Sequence, residues 1–507
     1  MDAPKTTTLA SRNEIFWEYT RSLCPVCKKI VDAHVVLREN KVFLRKRCPE
    51  HGQSEALIFS DAQLYVDIAR YNKPGSVPAA FATEIKDGCP TDCGLCPDHQ
   101  QHSCLGLIEL NNTCNLDCPV CFANSGTHHP KAGTAFELSY AEVESMLDNY
   151  VRFEGNPEVL QFSGGEPTLH PQLLDFIALA KDKGIRHVMV NTNGIKIAHD
   201  DALLAGLSRL KPTIYLQFDG FDTETNRIIR GKADLLEHKL LALDRLAQAD
   251  VRVVLVPAIE HGVNEHEIGK IVEFGLAHPA VFGINFQCVF HAQRHIVADP
   301  LERVTIPDIV RGIETQTNGL FTLQDFVPVP CCMPSCSFVT YAMLQDDNVI
   351  PIPRVIPVDT YLDYIKNRTI PGLSDDLLAA LERLWSSSAQ VGSDRATLDV
   401  AAAIGKLPTE PQSRSGERCP SCHVSLPLSD HPTPDLARHV FMLSIRDFMD
   451  TNTFSVKNAM KCCVGFLTTD GRMIPFCTYN TVGYREQIEA QRVGHGGSSA
   501  VPLRIPR

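Results

Sequence analysis

Short apolar runs alternate with amphipathic stretches through the middle of the chain. The runs are LGLIEL (105–110), VLQFSGG (159–165), HVMVNTNG (187–194), IYLQFDG (214–220), RVVLVPA (252–258) and FGINFQ (282–287). Such runs, mostly closed by Gly, Asn or Asp, read as strands buried on both faces. Between them, 139–151, 171–184, 199–210, 233–249 and 265–277 carry helical patterns. Strict alternation of strand and helix predicts right-handed βα units on a parallel sheet. Six strands are too few for a closed eight-fold barrel, so the expected fold is α/β, an open partial (β/α)6 barrel.

The flanks have a different texture. Residues 1–105 carry short elements and many cysteines, and 300–390 are mixed. Residues 389–418 are polar, with Gly, Pro and Ser, and read as a linker or insertion. HVFMLSIRDF (439–448) predicts a further strand, and TTDGR within KCCVGFLTTDGRMIPFCTYN (461–480) predicts a hairpin turn.

Composition narrows the chemistry. Of 507 residues 44% are hydrophobic, enough for a large core, and the net charge of −12 gives no general basic footprint for nucleic acid. There is no apolar run of about 18 residues, so no membrane span is expected. The start, MDAPKTTTLASRNEIFWEY, lacks the apolar stretch of a signal peptide, and the expected compartment is cytoplasmic. In that reducing setting 19 cysteines, mostly in C-x2-C or C-x3-C groups, point to metal sites rather than disulfides.

NNTCNLDCPVCFANSG (111–126) places Cys114, Cys118 and Cys121 directly after the first strand. That is the edge of a βα fold where active sites form. Three thiolates can hold three irons of a [4Fe–4S] cluster and leave the fourth iron open. A zinc knuckle or ferredoxin loop would show the same spacing. The following strands carry SGGEPTLHP (163–171) and VNTNG (190–194), with Gly164 and Gly165 permitting close backbone approach and Glu166 able to accept hydrogen bonds from an ammonium group.

In this order the three motifs resemble the radical S-adenosylmethionine (SAM) superfamily, over about residues 105–290. The family often has an aromatic residue before the third cysteine; here Val120 stands there, with Phe122 one place beyond. The resemblance implies that Cys114, Cys118 and Cys121 hold the catalytic cluster and that its open iron binds the methionine moiety of SAM. Gly164, Gly165 and Glu166 would line the methionine amino group, and Asn191 and Asn193 would reach the ribose or carboxylate. One electron would cleave the sulfonium C–S bond to give a 5′-deoxyadenosyl radical that abstracts hydrogen from an inert carbon.

Other cysteines surround this core. Cys89, Cys93 and Cys96 repeat the spacing, and Cys104 follows, which offers a fully ligated auxiliary cluster; a merely buried Cys104 is the alternative. Cys24, Cys27, Cys48 and His51 fit one tetrahedral iron or zinc, with His51 as ligand or turn residue. Cys331, Cys332, Cys336, Cys419, Cys422, Cys462, Cys463 and Cys477 fit a further cluster with members left over; each adjacent pair is expected to send one thiol, because neighbouring strand residues face opposite ways, and Cys331, Cys336, Cys462 and Cys477 are one set that this allows. Cys288 reads as core or pocket wall, and Asp219 and Gln287 as pocket lining or turn caps.

The expected division is a cysteine-rich metal and iron–sulfur domain (1–104), the barrel (105–299), a C-terminal auxiliary-cluster domain (300–490) and a disordered tail (491–507). The flanking motifs together resemble the branch holding the archaeal tetraether lipid synthase and the class D, pterin-type radical methyltransferases. The resemblance implies sp3 carbon–carbon bond formation on a lipid chain, or, alternatively, methyl transfer to a small molecule. It also implies a flavodoxin- or ferredoxin-type reductase as electron donor. A lipid substrate would bring peripheral membrane contact and an apolar tunnel, with Met333, Phe338, Tyr341, Met473 and Phe476 as walls. A non-catalytic iron–sulfur carrier or a zinc-ribbon scaffold would not need SGGEP beside a three-cysteine loop.

Overall fold

A computed structural model of the chain describes residues 13–75, 77–126, 135–295, 299–345, 348–355 and 440–494. The apolar runs form the strands β5 (Leu105–Glu109), β6 (Val159–Ser163), β7 (His187–Thr192), β8 (Thr213–Gln217), β9 (Val253–Val256) and β11 (Val281–Cys288), with β10 (Ala258–Ile259) a short piece pairing with β11. All six long strands pair in parallel, in register from Glu109 beside Ser163 to Ile284 beside Leu255. Helices connect them on the outside. The first, Tyr140–Glu154, is started by a Ser139–Glu142 capping box and ended at Gly155, whose φ of 70° a glycine accepts without strain. The helix Thr223–Arg230 was not legible in the hydrophobic pattern; its polar face dominates.

The expected partial barrel is present, and the C-terminal third enlarges its sheet. β15 (Val440–Arg446) adds in parallel beside β11, and β16 (Val464–Leu467) in parallel beside β5. Eight parallel strands therefore run in the order β15-β11-β9-β8-β7-β6-β5-β16. Beyond β15 lie the antiparallel β13 (Ser337–Gln345), with β12 (Val327–Pro328) and β14 (Asn348–Pro351) paired to it; beyond β16 lies β17 (Met473–Pro475), joined through the TTDGR turn. Residues 447–463 thus cross from one edge of the sheet to the other. A buried pair pins the end of the chain to β5: Arg485 donates to Glu109 at 2.7 and 2.8 Å.

The N-terminal region is more regular than the sequence suggested. β1 (Glu14–Leu23), β2 (Ile30–Arg38), β3 (Lys41–Cys48) and β4 (Gly52–Phe59) make a separate antiparallel sheet. It is tied to the C-terminal segment by Lys46, which is buried and donates to the carbonyls of Leu23 and Thr451. Residues 491–494 continue the helix Tyr484–Gly494, contrary to a tail beginning at 491; residues 495–507, the 389–418 linker, Cys419 and Cys422 lie outside the described residues. Among the described residues no helix is long and apolar enough to cross a membrane.

Candidate active site and cysteine groups

The loop that follows β5 is stitched to the neighbouring strand ends. Gly165 N donates to the Asn111 carbonyl at 2.8 Å and Glu166 N to the Thr113 carbonyl at 2.9 Å. A Cβ on Gly164 would meet the Asn111 oxygen at 2.4 Å, and one on Gly165 the Thr113 oxygen at 2.3 Å. The two glycines are therefore required first for the approach of β6 to the cysteine loop, and only at one remove for a ligand. Asn193 Nδ2 donates to Asn115 Oδ1 at 2.7 Å, and Arg294 donates to the Cys118 carbonyl at 3.0 Å, to Asn124 Oδ1 and to the Ser125 carbonyl. Cys114, Cys118 and Cys121 are held in this frame, packed with Leu116, Ile195 and Leu235.

The structure alters two expected roles. The Glu166 carboxylate already accepts from Thr168 N, Thr168 Oγ1 and Thr192 Oγ1 at one oxygen and from Asn193 N at the other, all between 2.7 and 3.1 Å. Four donors nearly exhaust a carboxylate, so Glu166 braces the ends of β6 and β7 rather than offering a free acceptor to an ammonium group. Asn193 is also engaged, donating to Asn115 and accepting from Ile195 N. Asn191 is not: its Oδ1 is buried without a partner, as is Gln217 Oε1.

Both amides line a cavity beside the cysteine loop. Its walls include Val120, Phe122, Arg230, Gln287, Cys288 and Phe290 from the barrel and Phe448 and Phe476 from the C-terminal segment. Phe122, Phe290, Phe448 and Phe476 form one aromatic group, with ring centroids 4.6 to 6.0 Å apart. Of the expected tunnel walls only Phe476 lines this cavity. Phe338 packs on Phe59, Tyr341 and Met473 are buried in their strands, and Met333 lies in the turn before Cys336. Asp219 does not line it either: it is fully buried, accepts Arg230 at 2.6 and 2.7 Å, and takes Ala258 N.

The remaining ligand-type cysteines sort into four groups. Cys24, Cys27, Cys48 and His51 come together with their ligand atoms within 4.8 Å of one another. Cys24 and Cys27 follow β1, Cys48 ends β3, and His51 sits in the β3–β4 turn, 3.5 Å from Cys48 Sγ. Cys89, Cys93 and Cys96 line a small cavity with Asp98, His99, Ala459 and Met460. Cys104 departs from that group, a correction to the expected closure. It immediately precedes β5, which pairs with β16, and this pairing brings its sulfur to Cys331 and Cys463, again within 4.8 Å. Cys332 interacts with Cys331 and Cys463 as well. The fourth group holds Cys336, Cys462 and Cys477, near enough for their charges to interact. Cys331 is thus not with Cys336, Cys462 and Cys477 as taken from sequence, and the 462/463 pair divides between two groups because adjacent residues face opposite ways.

Burial pushes the Cys89, Cys114 and Cys462 thiols up to about 12, with neighbouring carboxylates or thiols adding to the effect. Buried thiolates packed together need a cation. The donor sets fit iron–sulfur clusters, or zinc at the N-terminal site, which would supply that charge.

The model of the radical SAM superfamily matches residues 108–275, and that of the HMPTM N-terminal zinc ribbon domain residues 16–60. A 7,8-dihydro-6-hydroxymethylpterin dimethyltransferase of Methanocaldococcus jannaschii is 35% identical over 499 residues, 93% of this chain and 94% of its own. An Fe-coproporphyrin III synthase of Methanosarcina barkeri is 30% identical over 184 residues, 34% of this chain and 43% of its own. The crystal structure of Streptococcus suis SuiB with precursor peptide SuiA aligns over 44% of this chain and 47% of that one, at 15% identity and a TM-score of 0.36. With a cysteine loop braced by the glycine motif and a relative matched end to end, the chain belongs to the radical SAM superfamily, in the family of the class D radical methyltransferase that methylates a dihydropterin.

Proposed function

We propose that this protein transfers methyl groups to carbon atoms of a reduced pterin or a closely similar planar heterocycle. The observation that carries the reading is the cavity beside Cys114, Cys118 and Cys121. An aromatic wall of Phe122, Phe290, Phe448 and Phe476 faces unpartnered amides on Asn191 and Gln217. A flat heteroaromatic ring stacks on such a wall and presents amide-like edges that pair with side-chain amides. Near full-length similarity to a dihydropterin dimethyltransferase supports the same reading. It favours methyl transfer over the lipid coupling expected from sequence.

Superfamily membership brings a [4Fe–4S] cluster, SAM and the need for an electron donor. The cluster and SAM supply the radical that activates the substrate carbon. In this reading Cys114, Cys118 and Cys121 hold the cluster, and the backbone around Gly164 and Gly165 orients SAM. Glu166, Asn193 and Arg294 fix the loop, and the aromatic wall excludes water. The other groups, Cys89/Cys93/Cys96, Cys104/Cys331/Cys332/Cys463 and Cys336/Cys462/Cys477, are read as holding auxiliary iron–sulfur centres. The ribbon carries one iron or zinc, and a flavodoxin or ferredoxin supplies electrons.

The test is anaerobic reconstitution with iron and sulfide, then dithionite, SAM, a one-carbon donor (further SAM or a reduced folate carrying a methylene group) and either 7,8-dihydro-6-hydroxymethylpterin or a lipid extract. The expected result is 5′-deoxyadenosine together with a pterin heavier by one or two methyl groups. Coupled or methylated lipid with unchanged pterin would restore the lipid reading, and no 5′-deoxyadenosine with either would revive the electron-carrier reading.

A further inference from the structure

Glu260 follows β10, and His291 and His295 lie on the segment that follows β11. Their ligand-capable atoms all lie within 4.8 Å of one another. His295 Nε2 stands 2.8 Å from Glu260 Oε2, and the two imidazoles stack with centroids 4.9 Å apart. The Glu260–His295 contact taken alone is an ordinary ion pair. It leaves His291 unexplained: that ring is only 8% exposed, and its Nδ1 has no hydrogen-bond partner. A buried nitrogen without a partner is destabilising, so a third group converging there is retained against a penalty. Two imidazoles and one carboxylate, offered from two neighbouring strand ends, are a donor set for a divalent transition metal.

The placement gives such an ion a use. The segment carrying both histidines also carries Arg294, which holds the cysteine loop through Cys118, Asn124 and Ser125. Val289 and Phe290, just before His291, line the cavity beside that loop. The nearby cation, Arg303, is buried and neutralised by Asp450 at 2.8 Å. We propose that Glu260, His291 and His295 form a divalent transition-metal site at the rim of the active-site cavity, distinct from the cysteine groups and from the N-terminal ribbon. Three protein ligands leave a coordination position open, available to an oxygen or nitrogen donor of the substrate.

The probe is zinc alone, by equilibrium dialysis of the iron–sulfur-reconstituted full chain followed by metal analysis. Wild type is expected to hold one more zinc per chain than His291→Ala and Glu260→Gln, with zinc-edge absorption assigning the extra ion nitrogen and oxygen neighbours only. Iron content and cluster absorbance report folding and are expected to stay unchanged, since neither residue is a cluster ligand. Glu260→Gln keeps shape and hydrogen bonding, so it guards against misfolding of the alanine variant. Equal zinc in wild type and a Glu260→Gln protein with full iron content would overturn the site, as would sulfur neighbours around the extra ion.

Discussion

Cys89, Cys93 and Cys96 share the C-x3-C-x2-C spacing of Cys114, Cys118 and Cys121, yet the fold treats the two loops oppositely. The second loop is held by the barrel, through Asn111, Thr113, Asn193 and Arg294, and borders the cavity into which Asn191 and Gln217 present unpartnered amides. The first is held by the C-terminal segment. Tyr484 Oη receives Cys93 N at 3.1 Å and donates to the Pro90 carbonyl at 2.9 Å, while Asp92 gathers the amides of Lys86, Asp87 and Gly88. Its cavity is lined by Ala459 and Met460 of the C-terminal segment. Spacing alone therefore sets how three thiols present themselves; the elements packed around each loop decide what lies beside them.

The largest test of that contrast is chemical. Cys114→Ala is expected to abolish 5′-deoxyadenosine formation, whereas Cys93→Ala loses about four irons per chain, one cluster's worth, and keeps measurable cleavage. Iron analysis and product chromatography on the same samples decide it. If Cys93→Ala is as inactive as Cys114→Ala, the two loops do not have separate jobs.

The next test concerns Cys104. Because it meets Cys331 and Cys463 rather than Cys93, its loss should be redundant with loss of Cys331 and additive with loss of Cys93. Cys104→Ala/Cys331→Ala is expected to lose about four irons per chain, and Cys104→Ala/Cys93→Ala about eight. The reverse pattern would return Cys104 to the upstream loop.

Much of this was readable in advance, and the failures share a cause. The six strands and the cysteine and glycine motifs show because strand burial and loop chemistry are local in sequence. The grouping of Cys104 with Cys331 and Cys463 depends on β16 adding beside β5, a pairing across more than 350 residues that no local pattern encodes. The same holds for Arg294 and for the two parallel strands contributed by the C-terminal third. Glu166 and Asn193 show in the sequence as polar strand ends, and only the hydrogen bonds to Thr168, Thr192 and Asn115 reveal that they also brace the loop. Of the doubled cysteines, 462/463 divides between two groups of thiols while 331/332 stays in one, a difference that only the long-range pairing reveals.

A closed site elsewhere sharpens the contrast. The ribbon's Cys24, Cys27, Cys48 and His51 hold together an independent sheet, so Cys48→Ala is expected to lose one metal ion and lower the melting temperature of that region. SAM cleavage should fall little. Calorimetry with metal analysis checks this; full thermal stability without the metal would mean that the sheet's own core suffices.

The smallest effect is electrostatic and singles out the open loop. Arg230 is buried, lies beside Cys118 and pairs with Asp219. Burial raises the Cys118 thiol, and the Arg230 guanidinium pulls it back down. Metal uptake by thiols releases protons, so cluster assembly strengthens as pH rises, and removing the cation should move its midpoint to higher pH. A cluster held by three thiolates is anionic and becomes more so on reduction, so the same cation raises its potential. Arg230→Met alone would strand Asp219 as a buried charge, at a cost of about 3–5 kcal/mol. Asp219→Asn/Arg230→Met avoids this, because asparagine can still accept from Ala258 N. In the double variant the potential of the Cys114–Cys121 cluster is expected to fall by tens of millivolts, on the order of one partly offset charge at an effective dielectric of about 20. Redox titration followed by paramagnetic resonance separates the centres. An equal fall at the Cys89–Cys96 centre would mean a global perturbation, and no fall at the Cys114–Cys121 cluster would remove Arg230 from its electrostatics.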